Sequence, residues 1–241
     1  MICRAVPGVR TAIAAAAVLV SSGCASTATL SGDPDDSWES ANRTFYAFND
    51  ALDQAVLGPA ARLYLRLPPG LRDSVHNFFD NAAYPGTVLN QVLQGKLEPA
   101  MESSARFVFN TTLGIGGLFD VATGFGLERE EEDFGQTLAV WGMEAGNHVH
   151  WPVLGPSSVR DTPGIVVGVL TDVLTYVAAP AFVLLELVDT RANLDGVVRI
   201  REETALDPYV FTREAYRQRR TFLIHDGHPP PDEPGEDAEN R

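Results

Sequence analysis

Apolar side chains recur at helical spacing along most of this chain. Ala41, Phe45, Phe48 and Leu52 fall at i, i+4, i+7 and i+11, with Asp36, Ser37, Glu39 and Ser40 upstream as capping material, and predict a first helix that stops at Gly58-Pro59. A second stripe, Leu71, Val75, Phe78 and Phe79, is entered from Pro68-Pro69-Gly70 and is expected to end near Tyr84-Pro85-Gly86. Val88, Val92 and Leu93 begin a third, broken at Gly95, and Pro99 opens a fourth that carries Met101, Ala105 and Val108. Strand signals are few: the alternation His148-Val149-His150-Trp151 predicts one short extended piece. No fixed-period repeat and no linker rich in Pro, Gly and Ser divides the chain, so one helical domain is expected over 38–224.

The most apolar stretch is Gly164 to Val188, 25 residues with Asp172 and Glu186 as the only charges. Spanning a bilayer takes about 20 uninterrupted apolar residues, and Pro180 divides this stretch into pieces too short for that. It reads as a pair of apolar helices, either a buried hairpin or one that dips into a single leaflet.

The amino terminus has a different grammar. Arg4 and Arg10 precede the apolar run Thr11 to Val20, then Ser21, Ser22, Gly23 and Cys24. This is the order of an export signal, and the run is about half of the ~20 residues a transmembrane helix needs. The Ser-Ser-Gly-Cys stretch resembles a lipoprotein box, departing from it at Ser21 where leucine is common, and makes Cys24 the expected lipidation site at the end of a signal peptide over 1–23. With Cys3 removed, Cys24 stands alone and no intramolecular disulfide can form. Ala25 follows it rather than the aspartate associated with inner-membrane retention, which implies an outer-membrane address. Residues 24–37 read as a flexible lipidated tether, and 225–241, with four prolines among acids, as a disordered tail.

Composition narrows the function classes. The 241 residues are 45% hydrophobic and 21% charged, ordinary for a globular chain. Processing leaves 16 basic against 32 acidic residues, a formal charge of −16, so no basic field exists to hold a nucleic-acid backbone. No G-x-S-x-G elbow, phosphate loop or H-E-x-x-H pair occurs. His148 and His150 share a strand face but lack a third ligand, so a structural role is expected and no metal or cofactor is assigned. The acidic run Glu128 to Asp133 lacks the spacing of a calcium loop and reads as a solvated face. Gly114-Ile115-Gly116-Gly117 fails the dinucleotide fingerprint, since the next required glycine falls on Phe119. Its small residues suit a bend or a close helix approach. Arg213, Arg217 and Arg220 share one face of the last helix and are candidates for lipid headgroup or partner contacts, or for pairing with carboxylates of the chain itself.

Many separated motifs then occur in one order. They run from Asn42-Arg43, Phe48-Asn49 and Leu52-Asp53 through Asn77-Phe78-Phe79, Asn81, Leu93-Gln94-Gly95-Lys96, Arg106-Phe107 and Asn110-Thr111-Thr112-Leu113-Gly114. They continue with Gly117, Asp120, Glu132 to Leu138, Trp141-Gly142, Leu154-Gly155-Pro156-Ser157, Arg160-Asp161, Asp207-Pro208-Tyr209 and Arg213 to Tyr216. Over nearly all of 38–224 this series resembles the MlaA (VacJ) outer-membrane lipoproteins, departing at Asn147 to His150 where that family often has a Pro-Tyr pair.

The resemblance implies an all-α, ring-shaped single domain of amphipathic helices around a central channel, lying in the periplasmic leaflet of a Gram-negative outer membrane beside a porin trimer. It implies passage of phospholipid from the outer leaflet to a soluble periplasmic lipid carrier of the Mla type, maintaining lipid asymmetry, with the lipid moved and not cut. Channel or hinge candidates are Gly114, Gly116, Gly117, Gly135, Gly142 and Pro180. Extra acid on the channel walls, at Glu128, Glu130 and Glu131, would disfavour retention of anionic headgroups. A lipid hydrolase using carboxylates and the histidine pair would instead release lyso-lipid, and a purely structural envelope lipoprotein would move no lipid.

Overall fold

The computed structural model describes residues 33–177 and 180–230. Cys24, the signal peptide, most of the tether and residues 231–241 lie outside them. Among the described residues ten α-helices and one hairpin follow in order: α1 Glu39–Leu52, α2 Gly58–Tyr64, α3 Pro69–Leu93, α4 Leu97–Thr112, α5 Phe134–Val140, β1 His148–Trp151, β2 Gly155–Ser158, α6 Thr162–Thr171, α7 Leu174–Val177, α8 Pro180–Asn193, α9 Asp195–Thr204 and α10 Pro208–Ile224. The all-α expectation holds, with one short hairpin added.

Two expected helix ends are overridden. Gly58-Pro59 does not stop α1: a π-helical turn, Asp53–Leu57, carries the chain straight into α2, with Gly58 itself at helical dihedrals. Proline is accommodated there because the π-helical turn already interrupts the i to i−4 bonding, Gly58 N–H donating to the Asp53 carbonyl five residues back. Likewise α3 runs unbroken through Pro85, merging the second and third predicted stripes. Tertiary contact outweighs the roughly 3 kcal/mol cost of an internal proline. The end of α6 packs against this turn so closely that a Cβ on Gly86 would lie 2.6 Å from Thr171 Oγ1, and Val173 N–H donates to the Ala82 carbonyl (3.3 Å). The α3–α4 connection turns at Gly95, whose φ of +80° a side chain would disfavour.

The apolar stretch is divided once more than Pro180 alone predicts. Leu174 N–H donates to Asp172 Oδ1 (2.6 Å), separating α6 from α7, and Pro180 is the first residue of α8. Among the described residues no helix is long and apolar enough to cross a membrane.

The predicted extended piece is β1, paired antiparallel with β2 in the register His148 to Ser158 and Trp151 to Gly155. Its other edge is covered by two asparagines seven residues apart on α1. Asn42 Nδ2 donates to the His148 carbonyl (3.0 Å) while its Oδ1 accepts from His150 N–H (2.9 Å). Asn49 repeats this with the Trp151 carbonyl (2.8 Å) and Val153 N–H (2.7 Å). The side-chain amides thus substitute for a third strand, so the edge is not left unpaired. Beyond α10, His225 to Gly227 form a turn and Asp226 pairs with Lys96 (2.5 Å), so the folded body reaches into the segment assigned to the tail.

Candidate functional site

The distribution of side chains is inverted. Buried apolar residues are few and mostly small, Ala61, Tyr64 and Ala192 forming the densest cluster where α2 meets α8. The largest fully buried side chains are instead Arg106, Gln91 and Gln136. Charge is therefore held inside and apolar surface is left outside, the reverse of a chain folded for water.

The interior is satisfied by ion pairs that join distant parts of the chain. Arg106 on α4 donates to Tyr84 Oη (2.6 Å), to both carboxylate oxygens of Asp120 (2.9 and 2.8 Å), to Thr123 Oγ1 (3.2 Å) and to the Leu127 carbonyl. Asp36, fully buried, accepts from Tyr209 Oη (2.6 Å), Arg213 (2.8 Å) and Asn42 (2.9 Å), fastening the start of the body to α10. Asp189 accepts from Tyr64 Oη (2.6 Å), with His76 Nδ1 2.9 Å away, linking α8 to α2 and α3. These partnerships compensate the desolvation of each charge.

The arginine face of α10 is part of this interior. Arg213 pairs with Asp33, Asp36 and Glu214; Arg217 with Asp33 and Glu214; Arg220 with Asp133 and Asp161. Of the alternatives read from the sequence, pairing within the chain is observed for all three. The acidic run is solvent-exposed from Glu128 to Glu131, as a solvated face, and turns inward at Glu132 and Asp133. Asp133 caps α5, accepting from Gln136 N–H (2.9 Å), while Glu132 meets Lys96 (2.7 Å), Glu131 meets Arg219 (2.8 Å), and Arg129 returns to Asp80 on α3. An acid-rich segment in a strongly negative chain becomes a strap because Glu131, Glu132 and Asp133 each find a separate cation.

His148 and His150 are 2% and 3% exposed; His148 sits edge-on to Tyr209 and Tyr216, and His150 edge-on to Tyr46 and tilted against Tyr209. Burial pushes both imidazoles down to about 4; at His148 the Asp36 charge opposes that shift while His150, Arg217 and Arg213 add to it. Both are neutral at pH 7. A base whose folded pKa lies below its unfolded value of about 6.5 contributes full stability above that value and loses it as pH falls toward 4. Thermal unfolding of the mature chain in detergent between pH 7 and 4 should show a steep loss of stability. His150→Asn should flatten that slope; an unchanged slope would assign acid sensitivity to the carboxylates instead.

Apolar side chains crowd the outside. On α3 and α4 these are Leu89, Val92, Leu97, Met101 (75% exposed) and Val108, and an open groove of about 520 Å³ runs along Val88, Val92, Leu97, Ala100, Met101 and Ser104. The following loop adds Leu113, Ile115, Phe119 and Phe125, and α6 to α8 add Val166, Leu170, Tyr176, Val183 and Leu184. Patches of this extent mark contact with membrane or partner.

The glycine candidates fall into two groups. Gly114, Gly116 and Gly117 make the bend after α4: Gly116 and Gly117 have φ of +70° and +91°, and a Cβ on Gly117 would lie 2.6 Å from Asn81. Gly135 lies against the Asp161–Arg220 pair, a Cβ there falling 2.4 Å from Asp161 Oδ1, whereas Gly142 is needed for its φ of +89° in open space. Pro180 starts α8. The structure does not bring these six together at one point, and Cys24 lies outside the described residues. Arg106, Asp36 and Asp189 were not singled out as site residues from the sequence. The available signal was a polar stripe at helical spacing, Ser103, Arg106 and Asn110, on the face opposite the exposed Met101 and Val108.

Comparison with known proteins agrees with this surface. The family model described as MlaA lipoprotein matches residues 34–223. The chain is 36% identical over 222 residues to the intermembrane phospholipid transport system lipoprotein MlaA of Shigella flexneri, covering 88% of this chain and 87% of that one. It is 31% identical over 203 residues to the protein of the same name from Haemophilus influenzae, covering 80% of each. A solved structure described as "Structural basis for maintenance of bacterial outer membrane lipid asymmetry" superposes with a TM-score of 0.69 at 34% identity, covering 78% of this chain and 98% of that one. With a match across the whole helical body, the chain belongs to the MlaA lipoprotein family.

Proposed function

We propose that this protein is the outer-membrane lipoprotein of an intermembrane phospholipid transport system, removing mislocalised phospholipid from the outer leaflet and passing it intact to a soluble periplasmic carrier. The observation that carries this reading is the inversion of the fold, charges paired inside and apolar faces outside on helices too short or too polar to span. Such a body is suited to lie within one leaflet. In this reading Cys24 holds the chain to the periplasmic face of the membrane, the helices encircle a channel beside a porin trimer, and the glycine bends set the channel's mouth. The names borne by the relatives and by the matching structure support the lipid cargo. The test uses lipidated protein in liposomes with labelled phospholipid and a periplasmic carrier, followed by mass spectrometry. Intact lipid on the carrier only when the protein is present is the expected outcome; lyso-lipid would replace transport with hydrolysis, and no transfer would leave a structural lipoprotein.

Membrane seating has its own test. In a Cys24→Ser chain, Val166→Asp, Leu170→Asp and Leu184→Asp together place three carboxylates on the exposed apolar face of α6 and α8. Each costs about 2.5 to 3.5 kcal/mol at full bilayer depth and less near the interface. Flotation with vesicles should fall about tenfold or more; undiminished flotation would place the membrane contact elsewhere.

A further inference from the structure

Between Asp53 and Asp73 the chain carries no acid and three arginines, Arg62, Arg66 and Arg72, although acids outnumber bases 32 to 18 overall. Their fate in the fold differs from that of the other cations. Among the described residues every Lys and Arg enters an ion pair except these three and Arg199. Arg62 and Arg66 are exposed and Arg72 is half-buried. The carboxylates at either end of the stretch do not neutralise them: Asp53, which lies beside Gly58 as the Arg62 guanidinium does, is held by Arg191 (2.6 Å), and Asp73 is exposed and enters no ion pair. A helix favours a base in its last turn, which accounts for Arg62 at the end of α2 and leaves Arg66 and Arg72.

A second observation is independent of charge. Gly58, Ala61 and Tyr64 turn inward, Ala61 and Tyr64 meeting Ala192 on α8, so Leu63 (65% exposed) faces out beside Arg62. The chain then leaves α2 through Leu67, Pro68 and Pro69 to Leu71, all exposed. The corner is built and not slack: Arg66 N–H donates to the Leu63 carbonyl (3.1 Å), Leu67 N–H to that of Tyr64 (3.0 Å), and two prolines fix the backbone that follows. It also adjoins the apolar surface described above. Exposed Leu184 and buried Ala192 stand eight residues apart on α8, about 12 Å at 1.5 Å per residue. That is close to the ~15 Å depth of one leaflet's hydrocarbon, so a body with the start of α8 among acyl chains can bring this corner to the phosphates.

We propose that the corner between α2 and α3 binds anionic phospholipid headgroups of the phosphatidylglycerol kind. Leu63, Leu67 and Leu71 enter the shallow acyl region, and Arg62, Arg66 and Arg72 hold phosphates. Arginine forks match phosphate oxygens in pairs, and their long stems let the charge rise to the headgroups from an apolar footing. The chain's overall negative charge does not forbid the contact, since salt confines attraction and repulsion to about 8 to 10 Å. With the arginines of α10 spent on internal pairs, these are the cations left for lipid. The inference rests on the membrane seating of the transport reading, but its test does not require that lipid move.

The test floats the full mature chain bearing Cys24→Ser with vesicles of phosphatidylcholine, alone or with about 30% phosphatidylglycerol. Affinity should rise about tenfold or more with phosphatidylglycerol, and about 0.5 M salt should abolish the increment. Each arginine at an anionic surface is worth about fivefold, so Arg62→Gln/Arg66→Gln should remove most of the increment. The same double variant should leave phosphatidylcholine binding and thermal unfolding unchanged, because neither exposed side chain has an ion-pair partner to lose. Arg219→Gln, at an exposed arginine paired with Glu131, should keep the increment. No preference for phosphatidylglycerol, an increment that survives high salt, or equal losses from Arg219→Gln and the double variant overturns the proposal. A double variant that floats normally but binds an acidic soluble carrier less tightly replaces the lipid contact with a protein contact. Aspartates on α6 and α8 should lower flotation on both kinds of vesicle, which separates failed membrane seating from failure of this corner. Lipid transfer without an anionic increment would remove this inference alone, and an increment without transfer would remove the transport reading alone.

Discussion

Replacing Arg106 by Met should destabilise the protein by about 3 to 5 kcal/mol, the range for breaking a buried ion pair from one side. Met fills much of the space of the arginine stem, so the loss reports the charge and its bonds and not a cavity. Arg106 is 1% exposed, and its removal strands Tyr84 Oη, the Leu127 carbonyl and one side of Asp120. Burial disfavours the Asp120 charge, but hydrogen bonds from Thr123, Asn110 and Arg106 outweigh it and hold the pKa below the ordinary 3.8. That contribution is complete above the unfolded pKa and is lost as pH falls through the folded one. Denaturant unfolding in detergent at pH 7 measures the effect, and Arg106→Met/Asp120→Asn should recover part of it. A loss below about 1 kcal/mol would mean the interior is not held by this hub. Function should fail with it, because Arg106 ties α4 to the loop that presents Ile115, Phe119 and Phe125 outward.

Gly114→Ala should cost about 3 kcal/mol or more and disrupt lipid transfer without touching any charge. A Cβ at Gly114 would fall 2.2 Å from the Phe119 carbonyl oxygen and 2.5 Å from that of Asn110, and both obstacles are backbone. Neither can move without losing a bond that shapes the bend: Phe119 N–H donates to the Gly114 carbonyl (3.0 Å) and Gly117 N–H to the Asn110 carbonyl (2.8 Å). Overpacking against side chains costs about 1 to 3 kcal/mol, and backbone allows less relief. Gly124→Ala in the same loop meets nothing within 4 Å and should stay within about 0.5 kcal/mol of the parent. Unfolding curves of both variants, compared with their transfer rates, test whether the bend or merely a small residue is needed. Equal behaviour of the two would remove the bend from the argument.

Local pattern was enough for the helical class. The stripes beginning at Ala41, Leu71 and Pro99 each fall in an observed helix, and His148 to Trp151 is the strand its alternation indicated. The ordered series of motifs carried the family, and no single site did. The same reading placed stops at Gly58-Pro59 and Pro85, where helix continues, because a proline penalty is local and the packing of α6 on Gly86 is not.

What periodicity leaves open is which way each helix faces. An apolar stripe destined for lipid has the same spacing as one destined for a core, so Met101 and Leu184 could be read as interior residues until the folded chain left them outside. Charges show the converse. Asp36 and Arg213 are separated by almost the whole domain, and the pairing of the arginine row with Asp33, Asp36, Asp133 and Asp161 exists only once α10 returns to the start of the body. The chain's residue types and their order are sufficient for helix content and kinship. Which charges are neutralised depends on contacts between segments far apart in sequence, since electrostatic pairing acts over ångströms of space and not over positions in the chain.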